Sequence, residues 1–338
     1  MSAATPLAAA AALDIDYVDP ARLPELLADP QVLAIIGFQS GNAIPPCDDP
    51  RYLQVGLQPI GDAPLEVWRS QRPVRYGRDA NGVAWATDGQ LAFGALQVDE
   101  ARAGGITAAA QQAYVGLGQA LATGQCPHLL RIWNYFDAII EGDGDQERYR
   151  QFCVGRARGL GQVDPGTLPA ATAIGRVDGV RVLQVYWLSA RQPGLPLENP
   201  RQVAAYRYPR QYGPQPPSFA RAMLPAPGMQ LPLLLSGTAS VVGHESLHGE
   251  CTLRQIDETF ANFQALIGAA RERQPQLPLA FGAHSPLKVY LRDPAEIELV
   301  RPALARHLDP QVPRIFLHAQ VCRRNLRIEI DGVFGNSP

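Results

Sequence analysis

The sequence predicts an α+β fold made of two similar halves. Three features carry that prediction. Strand-like and helix-like segments alternate along the chain, the order strand–helix–strand–helix–strand occurs twice, and in each half an aromatic strand runs into an aspartate (Phe136-Asp137 and Tyr290–Asp293). The first half opens on the short runs VLAIIGF (32–38), YLQVGLQPI (52–60), LEVWRS (65–70) and GVAWATDG leading into QLAFGALQV (82–98), punctuated by Gly, Pro and Asp as strands joined by turns are. Ala108–Leu121 then has helical spacing, His128–Phe136 reads as a strand, Gln146–Leu160 as a second helix and Val180–Leu188 as a closing strand. In the second half, Leu233–Gly243 is a glycine-bearing strand pair and Arg254–Ala270 a long amphipathic helix. Pro286–Leu291 is a strand, Ala295–His307 a helix, and Arg314–Val333 contains two strands. The join falls in Ala190–Arg221, a segment rich in Pro, Arg and Tyr that reads as an extended but ordered loop. The expected units are residues 1–195 and 196–338.

Composition narrows the classes of function. A chain of 338 residues is long enough for two domains of about 150 residues. With 46% apolar and 18% charged residues it is globular and not disordered, and a net charge of -2 gives no bulk positive field for nucleic acid or anionic lipid. No apolar run approaches the roughly 20 residues of a membrane helix. The alanine-rich start MSAATPLAAAAALDIDY has no basic region and meets Asp14 early, so it reads as a frayed leader of a soluble, cytoplasmic protein. Five cysteines without a C-x-x-C pair argue against disulfide and zinc scaffolds. Of the 30 basic residues all but Lys288 are arginine, a skew that coding bias explains in the main and that is compatible with an anionic substrate gripped bidentately.

Four constellations could carry chemistry. His244-Glu245-Ser246-Leu247-His248 matches H-E-x-x-H, but zinc chemistry needs both histidines one helical turn apart. Here a β-branched run precedes the motif and Gly243 and Gly249 bracket it, so a strand-to-turn conformation is expected and no metal. Ser236-Gly237-Thr238-Ala239-Ser240 is either a strand relieved by Gly237 or a small-residue wall against which a ring lies, with the Thr238 hydroxyl on offer. The C-terminal run PRIFLHAQVC–RRNL–RIEIDGV reads as a hairpin turning at Arg323–Leu326. That pairing sets Cys322 opposite Arg327 and Gln320 opposite Glu329 on one face, where a carboxyl raised by burial is a general acid; otherwise Glu329 is a surface residue paired with Arg327. Lastly Tyr206, Tyr208, Arg210, Tyr212 and Arg221, with Arg150 and Arg156, are either solvated or a carboxylate-gripping wall.

The runs LSGTASVVGHESLHGE…RQIDETFANFQAL, AYRYPRQYGPQPPSFARA, RYRQFCVGRARGL and VCRRNLRIEIDGV together resemble the chorismatase family over roughly residues 30–335. The second half also resembles the Rid/YjgF fold, with Gln255, Thr259 and Asn262 on its helix and a terminal E-I strand. The resemblance implies two Rid-like modules, each a mixed sheet with helices on one face. Residues 1–195 would be scaffold and pocket wall and residues 196–338 the catalytic module. It implies cleavage of chorismate, a small dicarboxylate, to pyruvate and a hydroxybenzoate (3-hydroxybenzoate, with or without 4-hydroxybenzoate), without metal, flavin or nucleotide. By position it places the essential acid at Glu329 and the product-determining cysteine at Cys322. The small residues near the ring fall at Gly237, Thr238 and Ala239, and the pocket wall at Arg156, Tyr206, Arg210, Tyr212 and Arg221. Gln184 and Tyr186 stand where the C-terminal module has Glu329, so the N-terminal module is expected to lack a site. Monomer and homo-oligomer are both compatible with the sequence. Two other readings compete: a Rid-type imine or enamine deaminase, for which Val312-Pro313-Arg314 partly keeps a P-x-R motif, and a non-catalytic binder of aromatic acids.

Overall fold

Hydrophobic runs and their turns dictate three sheets rather than two. The computed structural model describes residues 12–39 and 47–335. The first sheet has the order β1-β5-β2-β3, from β1 (Leu13–Val18), β2 (Val32–Phe38), β3 (Tyr52–Val55) and β5 (Leu65–Ser70), with α1 (Leu23–Ala28) between β1 and β2 in sequence. Every residue of β2, VLAIIGF, is buried, as in a strand covered on both faces. β1 uses residues that read as leader in the sequence: Leu13–Val18 pair antiparallel with β5, and the alternation of LDIDYV turns Leu13 and Ile15 into the core. Residues 1–11 lie outside the described chain. This sheet falls within the segment 1–195, which therefore supplies two sheets.

The second sheet has the order β10-β9-β11-β8-β7-β6. Its strands are β6 (Arg75–Arg78), β7 (Ala84–Thr87), β8 (Leu91–Asp99), β9 (His128–Asp137), β10 (Ala170–Arg176) and β11 (Val182–Ala190), of which β6 and β10 carried no sequence assignment. After the short α2 (Glu100–Ala103), α3 (Ile106–Thr123) and α4 (Arg148–Leu160) cover one face. They approach closely because α4 carries glycine at 155 and 159, one turn apart. A Cβ at Gly155 would collide with the Thr107 carbonyl, and one at Gly159 would stand 2.7 Å from the Gln111 carbonyl. That close approach sets the position of the arginines on α4.

The third sheet runs β12-β13-β14-β19-β17-β18-β4. It comprises β4 (Gln58–Pro59), β12 (Leu195–Leu197), β13 (Ala222–Leu224), β14 (Leu233–Thr238), β17 (Leu287–Leu291), β18 (Arg314–His318) and β19 (Ile328–Phe334). A separate small ribbon pairs β15 (Val241–Val242) with β16 (Glu245–Ser246). α5 (Thr252–Arg273) and α6 (Ile297–Ala305) cover the outer face. On α5, Ile256, Phe260, Phe263, Ile267 and Ala270 are buried at helical spacing. The C-terminal hairpin expected from the sequence does not form. β18 pairs parallel with β17, and β19 pairs antiparallel with β17 and β14, so β17 separates the two strands. Local turn signals at Arg323–Leu326 mark a crossover between non-adjacent strands, which sequence spacing alone cannot distinguish from a hairpin.

The inner faces of the three sheets meet in one core containing Trp68, Phe93, Trp133, Tyr135, Tyr186 and Tyr290. Four charges alternate through it. Lys288 Nζ lies 2.6 Å from Glu66 Oε2 and 3.7 Å from Asp331 Oδ1, and Arg131 Nη2 lies 3.2 Å from Asp331 Oδ2. Trp133 stacks against both cations and donates to Asp331 Oδ2. One residue comes from the first sheet, one from the second and two from the third, so this cluster registers the sheets against each other. Removing one charge would leave its partner buried and unpaired, at a cost of about 3–5 kcal/mol. No helix among the described residues is long and apolar enough to cross a membrane.

Candidate active site

Where the second and third sheets meet, they leave a cavity of about 380 Å³. Direct backbone bonds bring the two sheets together beside it. Gly175 on β10 and Gln320, in the crossover after β18, exchange N–H···O bonds of 2.8 Å, and Ser236 Oγ bridges the Ala171 N–H and the Ala220 carbonyl. One wall is β10 (Ala171, Thr172, Ala173), another is β14 and its continuation (Gly237, Ala239), and β19 contributes Glu329. α4 supplies Tyr149, Arg150 and Arg156, the Tyr/Arg segment supplies Tyr208, Tyr212, Phe219 and Arg221, and the crossover supplies Cys322 and Arg323.

Glu329 sits on this cavity in a glycine-made recess. The register between β14 and β19 slips by one residue between Leu235 and Thr238, a bulge centred on Ser236-Gly237. A Cβ at Gly237 would collide with Glu329 Oε1. Among the described residues the carboxyl makes no hydrogen bond, so its proton is free for a ligand. Burial, reinforced by the neighbouring Asp331 charge, pushes its pKa up to about 8 against the pull of Arg131, Arg221 and Arg323. The acid is therefore protonated at neutral pH. Arg327 does not face it: its guanidinium holds Glu296 at 2.7 Å and Thr252, so neither the shared face nor the surface pair expected from a hairpin exists. Burial, with Glu329 beside it, pushes the Cys322 thiol up to about 12, so this side chain is an uncharged wall and not a thiolate.

Three arginines face the same space without acid partners. Arg156 donates to the Ser218 carbonyl and lies over Tyr114, and Arg221 donates to the Val203 carbonyl and the Tyr208 hydroxyl. Arg323 donates to the His244 carbonyl and Ser246 Oγ and stacks on Tyr212. None of the three forms an ion pair with a described Asp or Glu, and Arg156 Nε and Arg221 Nε are buried with no hydrogen-bond partner. Cations held this way favour a ligand with more than one anionic group, because an unpaired buried charge is costly.

Not every expected residue reaches the cavity. Gly237, Ala239, Arg156, Tyr212, Arg221, Cys322 and Glu329 line it. Thr238 does not: strand alternation turns it away, and its hydroxyl donates to the Ser236 carbonyl. Tyr206 lies outside and stacks with Arg207 instead. Arg210 is exposed and forms a two-pronged pair with Asp145, pinning the Tyr/Arg segment to the loop before α4. Tyr206 and Arg210 each start or fill a single 3₁₀ turn, so sequence proximity to Tyr208 and Tyr212 does not place them on the same side. Arg314, the anchor of the deaminase reading, is not among the lining residues.

The H-E-x-x-H segment is strand and turn. His244 Nδ1 meets the Tyr212 hydroxyl at 3.2 Å, while His248, at φ 57°, lies 3.5 Å from Glu258. Thr172, Tyr149 and Arg323 are lining residues that the sequence did not single out, although Tyr149 lies in the run RYRQFCVGRARGL and Arg323 in VCRRNLRIEIDGV. The AATAIGR run of β10 is short and rich in alanine and so gives little strand signal, and Arg323 sits in what reads as a solvent-facing turn. Gln184 occupies in the second sheet the register position of Glu329 in the third, each opposite a tyrosine, Tyr135 or Tyr290. Its amide is consumed by the chain: Oε1 accepts from Gly56 N–H and Nε2 donates to the Gln54 carbonyl.

Comparison with known proteins points one way. Residues 66–189 match the family described as chorismatase FkbO/Hyg5-like, N-terminal. A chorismatase of Streptomyces hygroscopicus is 34% identical over 319 residues, 92% of this chain and 91% of that protein. A chorismatase of Streptomyces rapamycinicus is 37% identical over 277 residues (79% and 81%), and a 3-hydroxybenzoate synthase of Streptomyces hygroscopicus is 32% identical over 314 residues (89% and 91%). A chorismatase crystal structure superposes with a TM-score of 0.86 at 33% identity, covering 97% of this chain and all of that one.

Proposed function

The chain belongs to the chorismatase family, and from that premise we propose that it converts chorismate to pyruvate and a hydroxybenzoate, chiefly 3-hydroxybenzoate, with Glu329 as the acid. The observation that carries the mechanism is a buried carboxyl whose pKa burial pushes up to about 8, which among the described residues makes no hydrogen bond, in a cavity where Arg156 and Arg221 form no ion pair with a described acid. Chorismate is a dicarboxylate whose pyruvyl group is an enol ether. Arg156, Arg221 and Arg323 hold its carboxylates and limit its poses. Glu329 gives its proton to the enol methylene carbon, which becomes a methyl group, and the adjacent carbon becomes an oxocarbenium ion. Water adds to that carbon and returns a proton to Glu329, and the hemiketal so formed collapses: its hydroxyl proton passes to the ring oxygen as the bond between that oxygen and the pyruvyl carbon breaks, releasing pyruvate and a ring diol. Loss of one hydroxyl and the neighbouring ring hydrogen as water then gives the aromatic acid, so the overall change is an isomeric split with no net water. Cys322, uncharged beside Glu329, takes part as a wall that keeps bulk water from the ring and favours aromatisation over release of the diol.

The test is to treat the purified protein with EDTA, incubate it with chorismate and separate the products by chromatography. Pyruvate with 3- or 4-hydroxybenzoate is the expected result. Pyruvate with only the dihydrodiol acid would overturn the role given to Cys322, and absence of pyruvate would overturn the reading as a whole.

A further inference from the structure

We propose that Thr172 is an obligate hydrogen-bond acceptor that selects a substrate carrying a free hydroxyl on its ring. A threonine hydroxyl has one proton and two lone pairs. Here the proton is committed to Asp331 Oδ2 at 2.6 Å, and one lone pair accepts from Arg131 Nη2, also at 2.6 Å. The hydroxyl cannot readily reverse. Asp331 Oδ2 already accepts from Arg131 at 3.2 Å, Trp133 at 3.1 Å and the Tyr290 hydroxyl at 3.0 Å, and Arg131 has no proton-accepting atom to offer. These partners are fully buried and come from both sheets, so the orientation is built into the core.

The second lone pair is left over, and it is close to the reacting acid. Thr172 lines the cavity, and its Oγ1 is 3.3 Å from the point a Cβ on Gly237 would occupy, the same point that Glu329 Oε1 crowds. Among the described residues no donor fills this lone pair. The other polar groups converging on the cavity from α4, the Tyr/Arg segment and the crossover include the guanidinium groups of Arg156, Arg221 and Arg323, which only donate. A ligand hydroxyl placed beside Glu329 therefore finds in Thr172 a neutral acceptor whose orientation the core fixes, while carboxylates find the arginines.

This inference rests on chorismate being the substrate, whose ring carries one free hydroxyl. The experiment compares pyruvate release from chorismate, from its analogue with hydrogen in place of that hydroxyl, and from the analogue with an amino group there. It uses wild-type protein, Thr172→Val and Thr172→Ser. For the wild type, kcat/KM is expected to fall about tenfold with the hydrogen analogue, the size of one neutral hydrogen bond, and to be largely kept with the amino analogue, which still donates. Thr172→Val should lose the discrimination and Thr172→Ser should keep it, a pattern that a purely structural role would not produce. Equal discrimination in wild type and Thr172→Val overturns the inference. Should the valine variant not fold, equal rates of the wild type with the hydroxyl and hydrogen compounds overturn it as well. No pyruvate from chorismate at all overturns the substrate assignment too, so the two failures are distinguishable.

Discussion

Raising the pH through about 8 should switch the enzyme off by taking the proton from Glu329. A free glutamate, at 4.5, is about 0.3% protonated at pH 7, whereas a carboxyl raised to about 8 is about 90% protonated. The fold thus supplies roughly 300 times more of the reactive acid. The same shift has a stability consequence. The folded-state pKa lies above the unfolded one, so between about pH 4.5 and 8 the unfolded chain releases a proton that the folded chain keeps. Stability is fully present below that window and declines across it, by up to roughly 5 kcal/mol in total. Pyruvate release, followed by a coupled dehydrogenase assay from pH 6 to 9.5, should be level at the acid end and fall about tenfold per unit above pH 8. Glu329→Gln should lose activity at every pH while flattening the stability profile and melting higher than wild type at pH 9. A rate independent of pH to 9.5, or a glutamine variant with more than a few percent of the wild-type rate, would refute the reasoning.

Four further substitutions and one alkylation test the geometry. Gly237→Ala puts a methyl group into the Glu329 carboxyl, so kcat should drop by about 100-fold or more while circular dichroism and melting remain near wild type. Because the Cys322 thiol is pushed up to about 12, iodoacetamide at pH 8 should leave it unmodified over a time that labels free glutathione, and Cys322→Ala should alter the ratio of aromatic to diol product more than the rate of pyruvate release. Arg221→Ala should raise KM about 10- to 100-fold through loss of a charge-assisted contact, whereas Arg210→Ala, whose side chain pairs with Asp145 at the surface, should leave KM within about twofold. Equal effects of the two substitutions, measured by steady-state kinetics, would contradict the placement of Arg210 outside the cavity.

What could be read along the chain was what depends on local spacing. Strands β2, β5, β9, β11 and β17 and helices α3 to α6 follow from apolar periodicity and turn residues, and the alternation of these elements carries the α+β class. The family resemblance, more than residue type, picked out Arg156 on α4, Tyr212 and Arg221 in the Tyr/Arg segment, Gly237 and Ala239 on β14 and its continuation, Cys322 in the crossover and Glu329 on the terminal strand, which line the cavity, together with Thr238, Tyr206 and Arg210, which do not. Tertiary structure decided the rest. β1 needed β5, some fifty residues away, to become a strand, and β19 found β17 and β14 instead of its sequence neighbour β18. Thr172 acquires its fixed hydroxyl only because Arg131, Asp331 and Tyr290 converge from two sheets. The raised acidity constant of Glu329 has the same origin. A carboxyl's proton affinity depends on how much water and which charges surround it, and those are set by residues far apart in the sequence that meet only when the sheets pack.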